Sequence, residues 1–374
     1  MTEGRRPRVL LIFGGRSAEH EVSVVSAAAV AGALDPGRYE VVTVGIDRDG
    51  RWHLLPGPPA LPSGSSHELP AVEGNAGSEV ALSREPGSRE LVGPGGERKP
   101  FDVVFPILHG PFGEDGTIQG LLELAGIPYV GAGVLGSALG MDKATQKVLF
   151  AAAGLKVAPH HVVQERGWLE DPDGVEARVT DLGYPVFVKP AALGSSVGIT
   201  KVHEPGELSL AVKEALAYGR KALIERSMEG ARELEVSVLG NDEPVASVAG
   251  EIVPQGHEFY DYEAKYVDEH GARLAIPADV PPEIMEEVQR MAVAAFRAID
   301  CAGMARVDFF LLPSGELYVN EINTIPGFTQ ISMYPKLWEA SGLAYADLVD
   351  RLIELGLERH RNEERRGRGL PATS

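Results

Sequence analysis

Two carboxylates that must face each other across a hairpin constrain this chain more than any other feature. Residues 304–312 and 317–325 are apolar-rich runs on either side of Pro313-Ser314-Gly315-Glu316, an arrangement that predicts a β-hairpin. A turn centred on Ser314-Gly315 sets Asp308 opposite Glu321 and Arg306 opposite Asn323, and a four-residue loop gives the same pairing. Side chains two apart on a strand share a face, so all four point one way. Like charges directly opposite each other destabilise a sheet unless a cation lies between them. Asp308, Glu321 and Asn323 offer oxygen donors only, with no His or Cys, which suits Mg²⁺. A solvated outer face would also tolerate such acids. The Val, Phe and Ile content of both strands, and the abrupt loss of strand character at Thr324-Ile-Pro-Gly327, favour the rim of an active site.

The rest of the chain supports a large α/β enzyme. Its 374 residues are enough for two or three domains. A formal net charge of −19 argues against a sequence-independent grip on nucleic acid, but not against phosphate ligands held at local sites. With Cys301 as its one cysteine the chain forms no intrachain disulfide, which points to a reducing compartment, by default the cytoplasm. The apolar run 9–13 is too short for a signal peptide or a membrane span.

Strand-like residues 9–13 end at Gly14-Gly15, a helix capped by Ser17 runs to about Ala33, and a second strand covers 40–46. This order predicts a parallel unit. Residues 56–100, dense in Gly, Pro and Ser, read as a surface excursion with short strands at 80–83 and 89–92. A strand at 103–108 runs into His109-Gly-Pro-Phe-Gly-Glu-Asp-Gly116, and the next helix carries Ile118, Leu121, Leu122 and Leu124 as its apolar stripe. Further helices are expected at 137–153, 208–218 and 281–299, and strands at 185–190, 222–225, 234–239 and 245–253. A final helix bears Leu348, Leu352, Ile353 and Leu355, and the charged tail after Arg359 reads as disordered.

Several segments carry groups suited to phosphate chemistry. Gly194-Ser195-Ser196-Val197-Gly198 lets backbone amides approach anionic oxygens. It lacks the P-loop pattern and reads as a strand–loop–strand flap. Lys189, in the apolar word Val186-Phe-Val-Lys-Pro190, needs an anionic partner if it points inward, or reaches solvent if its strand is an edge. Lys143 is either a second phosphate ligand or a surface lysine. Glu225 is a candidate for a base amino group and Glu233 for sugar hydroxyls, with an ordinary surface position as the alternative for each. The aromatic, charged word at 257–266, with Lys265 and Tyr266, reads as packed down or as a lid. Glu21, near a helix start, is explained either by the helix dipole or by a substrate ammonium group.

Taken together these words resemble the ATP-grasp ligases, and among them the D-alanine–D-alanine ligase family. The resemblance rests on Glu19-His-Glu-Val-Ser23, His109 to Gly116, Met141-Asp-Lys143, Val188-Lys-Pro190 with Gly194 to Gly198, Phe259-Tyr-Asp-Tyr-Glu-Ala-Lys-Tyr266, Arg306-Val-Asp-Phe309 and Asn320-Glu-Ile-Asn-Thr-Ile-Pro-Gly-Phe-Thr329, in the family's order over about 9–357. It implies an α/β (α+β overall) three-domain ATP-grasp architecture. A parallel N-terminal α/β domain (1–134, with the excursion 56–100) would hold the first D-alanine. A small central domain (135–225) and a C-terminal mixed-sheet domain (226–358) would hold ATP between them, followed by the tail 359–374.

By the same resemblance Lys143, Lys189 and Lys265 would contact phosphates, with Ser195 and Ser196 beside them. Glu225, Arg226 and Met228 would read adenine, and Glu233 the ribose. Asp308, Glu321 and Asn323 would hold two Mg²⁺, or Mn²⁺. Glu21 would bind the first D-alanine, with His109 near it, and Glu21, Ser195 and Tyr266 would form a hydrogen-bonded trio across domains. Arg306 and the Gly327 amide would form an oxyanion site, and Ser332 and Met333 would lie near the second D-alanine. The implied activity is ATP-dependent joining of two D-alanines through an acyl phosphate, for peptidoglycan precursors, in a homodimer. The rivals are a D-alanine–D-lactate ligase of the same fold and a non-catalytic nucleotide-binding scaffold, since fold alone does not prove function.

Overall fold

In a computed structural model of the chain, residues 5–59, 70–254 and 272–367 are described. The first sheet takes the order Ser78–Glu79, Trp52–Leu54, Glu40–Ile46, Arg8–Gly14, Val103–Ile107. Its three strands from Glu40–Ile46 to Val103–Ile107 run parallel, and the other two are added antiparallel at one edge. Alternate residues of Arg8–Gly14 enter two different cores: Val9, Leu11 and Phe13 pack on one side, Leu10 and Ile12 on the other. A strand buried on both faces reads as an unbroken apolar run, which is how this one reads in sequence.

The central sheet is antiparallel, in the order Thr200–Val202, Val186–Pro190, Lys221–Arg226, His160–Gln164. One face packs Val186, Val188, Val202, Ala222 and Ile224 into a core with the helices Pro172–Leu182 and Pro205–Ala217. Lys189 therefore sits on an interior strand and not on an edge. The third large sheet runs Ala272–Ala275, Val245–Pro254, Arg232–Gly240, Gly303–Leu311, Leu317–Asn323. Helix Pro282–Ala298 covers its apolar face with Val288, Met291, Ala292, Ala295 and Phe296. Among the described residues its strands pair antiparallel, and a parallel bridge from Val157 to Val319 at the Leu317–Asn323 edge gives the sheet its mixed character. The N-terminal sheet is mixed as well.

Other expectations are corrected by local chemistry. The single helix expected over 137–153 is two, Val134–Met141 and Lys143–Ala152, because Asp142 leaves helical geometry and its carboxylate accepts from the Thr145 amide at 2.9 Å. The first helix starts at His20, and Ser17 does not cap it; its hydroxyl donates to the His109 carbonyl at 2.7 Å. On helix Thr117–Leu124 only Ile118 and Leu122 of the expected stripe are buried, whereas Leu121 and Leu124 are exposed. The charged segment after Arg359 is helical as far as Gly367. It is held by Arg359–Glu363 at 2.8 Å and by the Arg359 guanidinium stacked 4.2 Å from the Tyr129 ring centroid. No helix among the described residues is long and apolar enough to cross a membrane.

Candidate active site

The acid row of the C-terminal sheet is built by a one-residue irregularity. Next to the turn the register is Leu311↔Leu317, Phe310↔Tyr318 and Phe309↔Val319, then it shifts to Asp308↔Glu321 and Arg306↔Asn323. Asn320 is the extra residue, so the hairpin carries a β-bulge there. Without that shift in register Asn320 would oppose Asp308, and Glu321 would turn toward the core. The expected pairing is present, but the bulge produces it as much as the turn does. On the other side of Asp308 the register places Glu235, which sequence reading passed over although it lies two residues beyond Glu233. Three carboxylates thus lie in line across three strands.

Arg306 answers this density of charge. Its Nε and Nη2 donate to both oxygens of Asp308 at 2.7 Å each, and Nε lies 3.1 Å from Glu235. The Asn323 amide donates to Asp308 at 3.1 Å. Although burial opposes its charge, these carboxylates hold the Arg306 guanidinium firmly protonated. Glu321 is paired with Lys143 at 2.7 Å. Among the described residues no three His, Cys, Asp or Glu side chains form a ready-made metal cage. The donor set is instead two carboxylates and an amide oxygen, all hard oxygens. It fits the habit of Mg²⁺, which takes one or two protein carboxylates and completes its shell with water and substrate phosphate.

Helix Lys143–Ala152 braces this hairpin. Lys143, Gln146 and Lys147 stand at i, i+3 and i+4, one face of a helix. The Gln146 side chain accepts from the Ile322 amide at 3.1 Å and donates to the Ile322 carbonyl at 3.2 Å. Lys147 donates to the carbonyl of the bulge residue Asn320 at 3.0 Å. Lys143 also donates to the Leu193 carbonyl at 3.0 Å, so it touches the Gly/Ser loop as well as Glu321.

The polar face of the central sheet holds Phe187, Lys189 and Glu225, with Phe187 opposite Glu225. Glu225 is buried, and its two oxygens are ion-paired with Lys147 and Lys189 respectively. Burial raises its pKa, but the two ammonium groups outweigh burial and hold it down to about 2. Lys147 is a second residue that sequence reading did not single out; its spacing of four from Lys143 was the available signal. Arg226 is exposed and donates to the Leu182 carbonyl at 2.5 Å, and Met228 is half-buried in the turn that follows.

The N-terminal domain contributes loops at the carboxyl ends of its strands. The Ser195 hydroxyl donates to Glu19. Glu21, the expected partner, instead pairs with Arg48 from the turn after strand Glu40–Ile46. The correction is geometric: residues two apart at a helix start point in different directions. A Cβ on Gly110 would come within 2.6 Å of Glu19 Oε2, and one on Gly194 within 2.7 Å, so the Glu19 carboxylate lies against two glycine backbones from different domains. Ser195 and Ser196 both have left-handed φ, at 51° and 57°, sparsely populated for such residues and a mark of a constrained functional loop.

His109 is buried and bonded on both sides. Nδ1–H donates to the Ile325 carbonyl at 3.0 Å, and Nε2 accepts from Ser26 at 3.0 Å. Burial lowers its pKa, consistent with a neutral ring that positions the Ile325 loop. Glu114 accepts from the amides of Gly110 at 2.7 Å and Ile325 at 3.1 Å. Burial and the nearby Glu19 charge push its pKa up to about 8. In the loop beyond the hairpin, Ser332 lies beside Gly327, accepts from the Thr329 amide at 3.1 Å and stands 2.7 Å from the Thr329 hydroxyl. Met333 is buried against Ile252 and Leu337, so it shapes the wall and is not a polar contact. Glu233 shares a face with Glu235. Lys265 and Tyr266, with the whole lid word, lie outside the described residues.

Comparison with known proteins agrees along nearly the whole chain. Family models described as the N-terminus and the C-terminus of D-ala D-ala ligase match residues 8–132 and 149–354. A D-alanine–D-alanine ligase of Arthrobacter sp. (strain FB24) is 51% identical over 364 residues, 95% of each chain. One from Thermoanaerobacter sp. (strain X514) is 51% identical over 360 residues, covering 95% of this chain and 98% of the relative. Among solved structures, the D-alanine–D-alanine ligase from Coxiella burnetii superposes with a TM-score of 0.85 at 38% identity, covering 97% of both chains. The VanG D-Ala:D-Ser ligase from Enterococcus faecalis superposes at 0.81 with 35% identity, over 94% of this chain and all, 100%, of that one.

Proposed function

The chain belongs to the D-alanine–D-alanine ligase family, and from that premise we propose how its residues divide the work of the reaction. It is an ATP-dependent ligase that joins two D-alanine molecules for cell-wall synthesis. The observation that carries the assignment of roles is two groups of ion pairs joined by one helix, Lys143–Ala152. Glu321 to Lys143, and Glu225 to Lys147 and Lys189, link the acid row to the polar face of the central sheet.

In this reading ATP lies between those two sheets. Lys143 and Lys189 take its phosphates, as would Lys265, while Ser195 and Ser196 present the flap. Glu225, Arg226 and Met228 face the base and Glu233 the ribose. Asp308, Glu321 and Asn323 would hold two Mg²⁺, which when bound supply charge neutralisation for the outer phosphates. The carboxylate of the first D-alanine attacks the γ-phosphorus, ADP leaves, and an acyl phosphate remains. The amine of the second D-alanine attacks the acyl carbon and phosphate departs. Positioning and electrostatics are what such a sequence asks of a protein.

Glu19, in place of Glu21, takes the ammonium of the first D-alanine, because its carboxylate is the one at the junction of Gly110 and Gly194. Arg306 Nη1, which is not engaged by Asp308 or Glu235, and the Gly327 amide donate to the oxyanion of the second step. Ser332 faces the carboxylate of the second D-alanine. His109 and Glu114 keep the 325–327 loop in place from behind. A cytoplasmic compartment and a homodimer are part of the same proposal; Leu121, Leu124 and Leu135 are exposed.

An assay of ADP release with D-alanine, L-alanine or neither tests the reading. Release only with D-alanine, with dipeptide as product, is expected. A relative acting on D-Ser keeps the same fold, so D-serine and D-lactate belong in the same assay. An ester as the sole product would move the chain to the lactate-using type, and no release under any divalent metal would favour the scaffold reading.

A further inference from the structure

Among the described cations of the site Lys147 is the most completely buried, with 1% of its side chain exposed, and no role in the reaction reaches it directly. It shares the Glu225 carboxylate with Lys189, one ammonium on each oxygen. The cluster therefore holds two positive charges against one negative. A surplus charge kept from water is costly unless an anion completes it. The two lysines are not equivalent. Lys147 sits behind Glu225, anchored to the Asn320 carbonyl at 3.0 Å, whereas Lys189 lies on the ligand face of its strand with 10% of its side chain exposed. Lys189 is the one that can leave.

We propose that Lys147 is a positioning residue, the standing counter-ion of Glu225, whose presence frees Lys189 to exchange that carboxylate for a phosphate of ATP. With Lys147 in place, Glu225 stays paired after Lys189 turns away. Without it, moving Lys189 to the phosphate would strand a buried carboxylate, and truncating one partner of such a pair leaves the other charge uncompensated. The same ammonium holds the carbonyl of the bulge residue, so the nucleotide seat and the register of the acid row depend on one side chain. The surplus positive charge is what makes the pocket receptive to a polyphosphate. This inference rests on the phosphate role given to Lys189 above.

ATP dissociation constants and steady-state constants for Lys147→Met, Glu225→Gln, the double variant and Lys189→Ala test it. Lys147→Met is expected to weaken ATP by roughly tenfold or more, the cost of an unpaired buried charge, and to leave the KM for D-alanine within about threefold. The double variant removes both charges and is expected to bind ATP within about threefold of Glu225→Gln alone, a non-additivity that mere loss of packing would not give. The double variant also keeps the test open if Lys147→Met alone does not fold. Losses that simply multiply, or a Lys147→Met protein that binds ATP normally while Lys189→Ala does not, overturn this inference alone. A Lys189→Ala protein that binds ATP as the unmodified protein does would overturn the phosphate reading, and this inference with it.

Discussion

The N-terminal and C-terminal sheets contribute to one site in opposite ways. The N-terminal sheet is parallel at its centre and buried on both faces, so no side chain in the middle of its strands can meet a substrate. Its chemistry is pushed to the loops at the carboxyl ends of the strands, where Glu19, His109 and Glu114 lie. The C-terminal sheet has one apolar face on helix Pro282–Ala298, and its other face is only partly covered, by helix Met333–Ala340, which leaves the remainder for polar groups. There the functional groups Glu235, Arg306, Asp308, Glu321 and Asn323 stand on the strands themselves.

The largest expected effects fall on the strand-borne half. Asp308→Asn keeps the shape and hydrogen-bonding size of the side chain, so the melting temperature should hold while ADP release falls by about a hundredfold or more. Near-normal turnover at low Mg²⁺ would break the metal assignment.

The loop-borne half is tested by a pair of neighbours. Glu19→Gln is expected to raise the KM for D-alanine by roughly tenfold or more, the range for a hydrogen bond to a charged group. Glu21→Gln breaks only a half-exposed pair with Arg48 and should change it by less than about threefold. The reverse order would restore Glu21 to the role first given to it.

This pair also marks what the sequence made legible. On a strand, side-chain direction alternates with a period of two, so Arg306, Asp308, Glu321 and Asn323 could be placed on one face without coordinates. Even there the bulge at Asn320 was invisible, because an extra residue in a strand has no composition of its own. In the Glu19-His20-Glu21 word the chain is passing from a Gly loop into a helix, and no period fixes which acid faces the ligand. The expectation falls on Glu21, and Glu19 is the one that meets Ser195. Lys147 and Glu235 were overlooked for a different reason. Each is an ordinary charged residue until its partner from another element is known, and those partners, Glu225 and Arg306, are remote in sequence. The split of the helix at Asp142 follows the same logic, since a cap residue is also an acceptable helix residue.

The smallest effect lies in the loop half and comes from Glu114. Burial and the nearby Glu19 charge raise its pKa to about 8 from the ordinary 4.5, against the pull of the Gly110 and Ile325 amides and of Lys143. Between those two values the folded protein binds a proton that the unfolded chain has released. Stability must therefore fall as pH rises through that window and level off above about pH 8. In the ligand-free protein the melting temperature should drop by about 2 °C or more across it, and Glu114→Gln, which carries no titratable proton, should flatten that slope. A slope unchanged by the substitution would mean that the charge at the loop junction is relieved by some other group. The loop-borne half of the site would then be less sealed from water than the strand-borne half, whose acids are each held by a fixed cation.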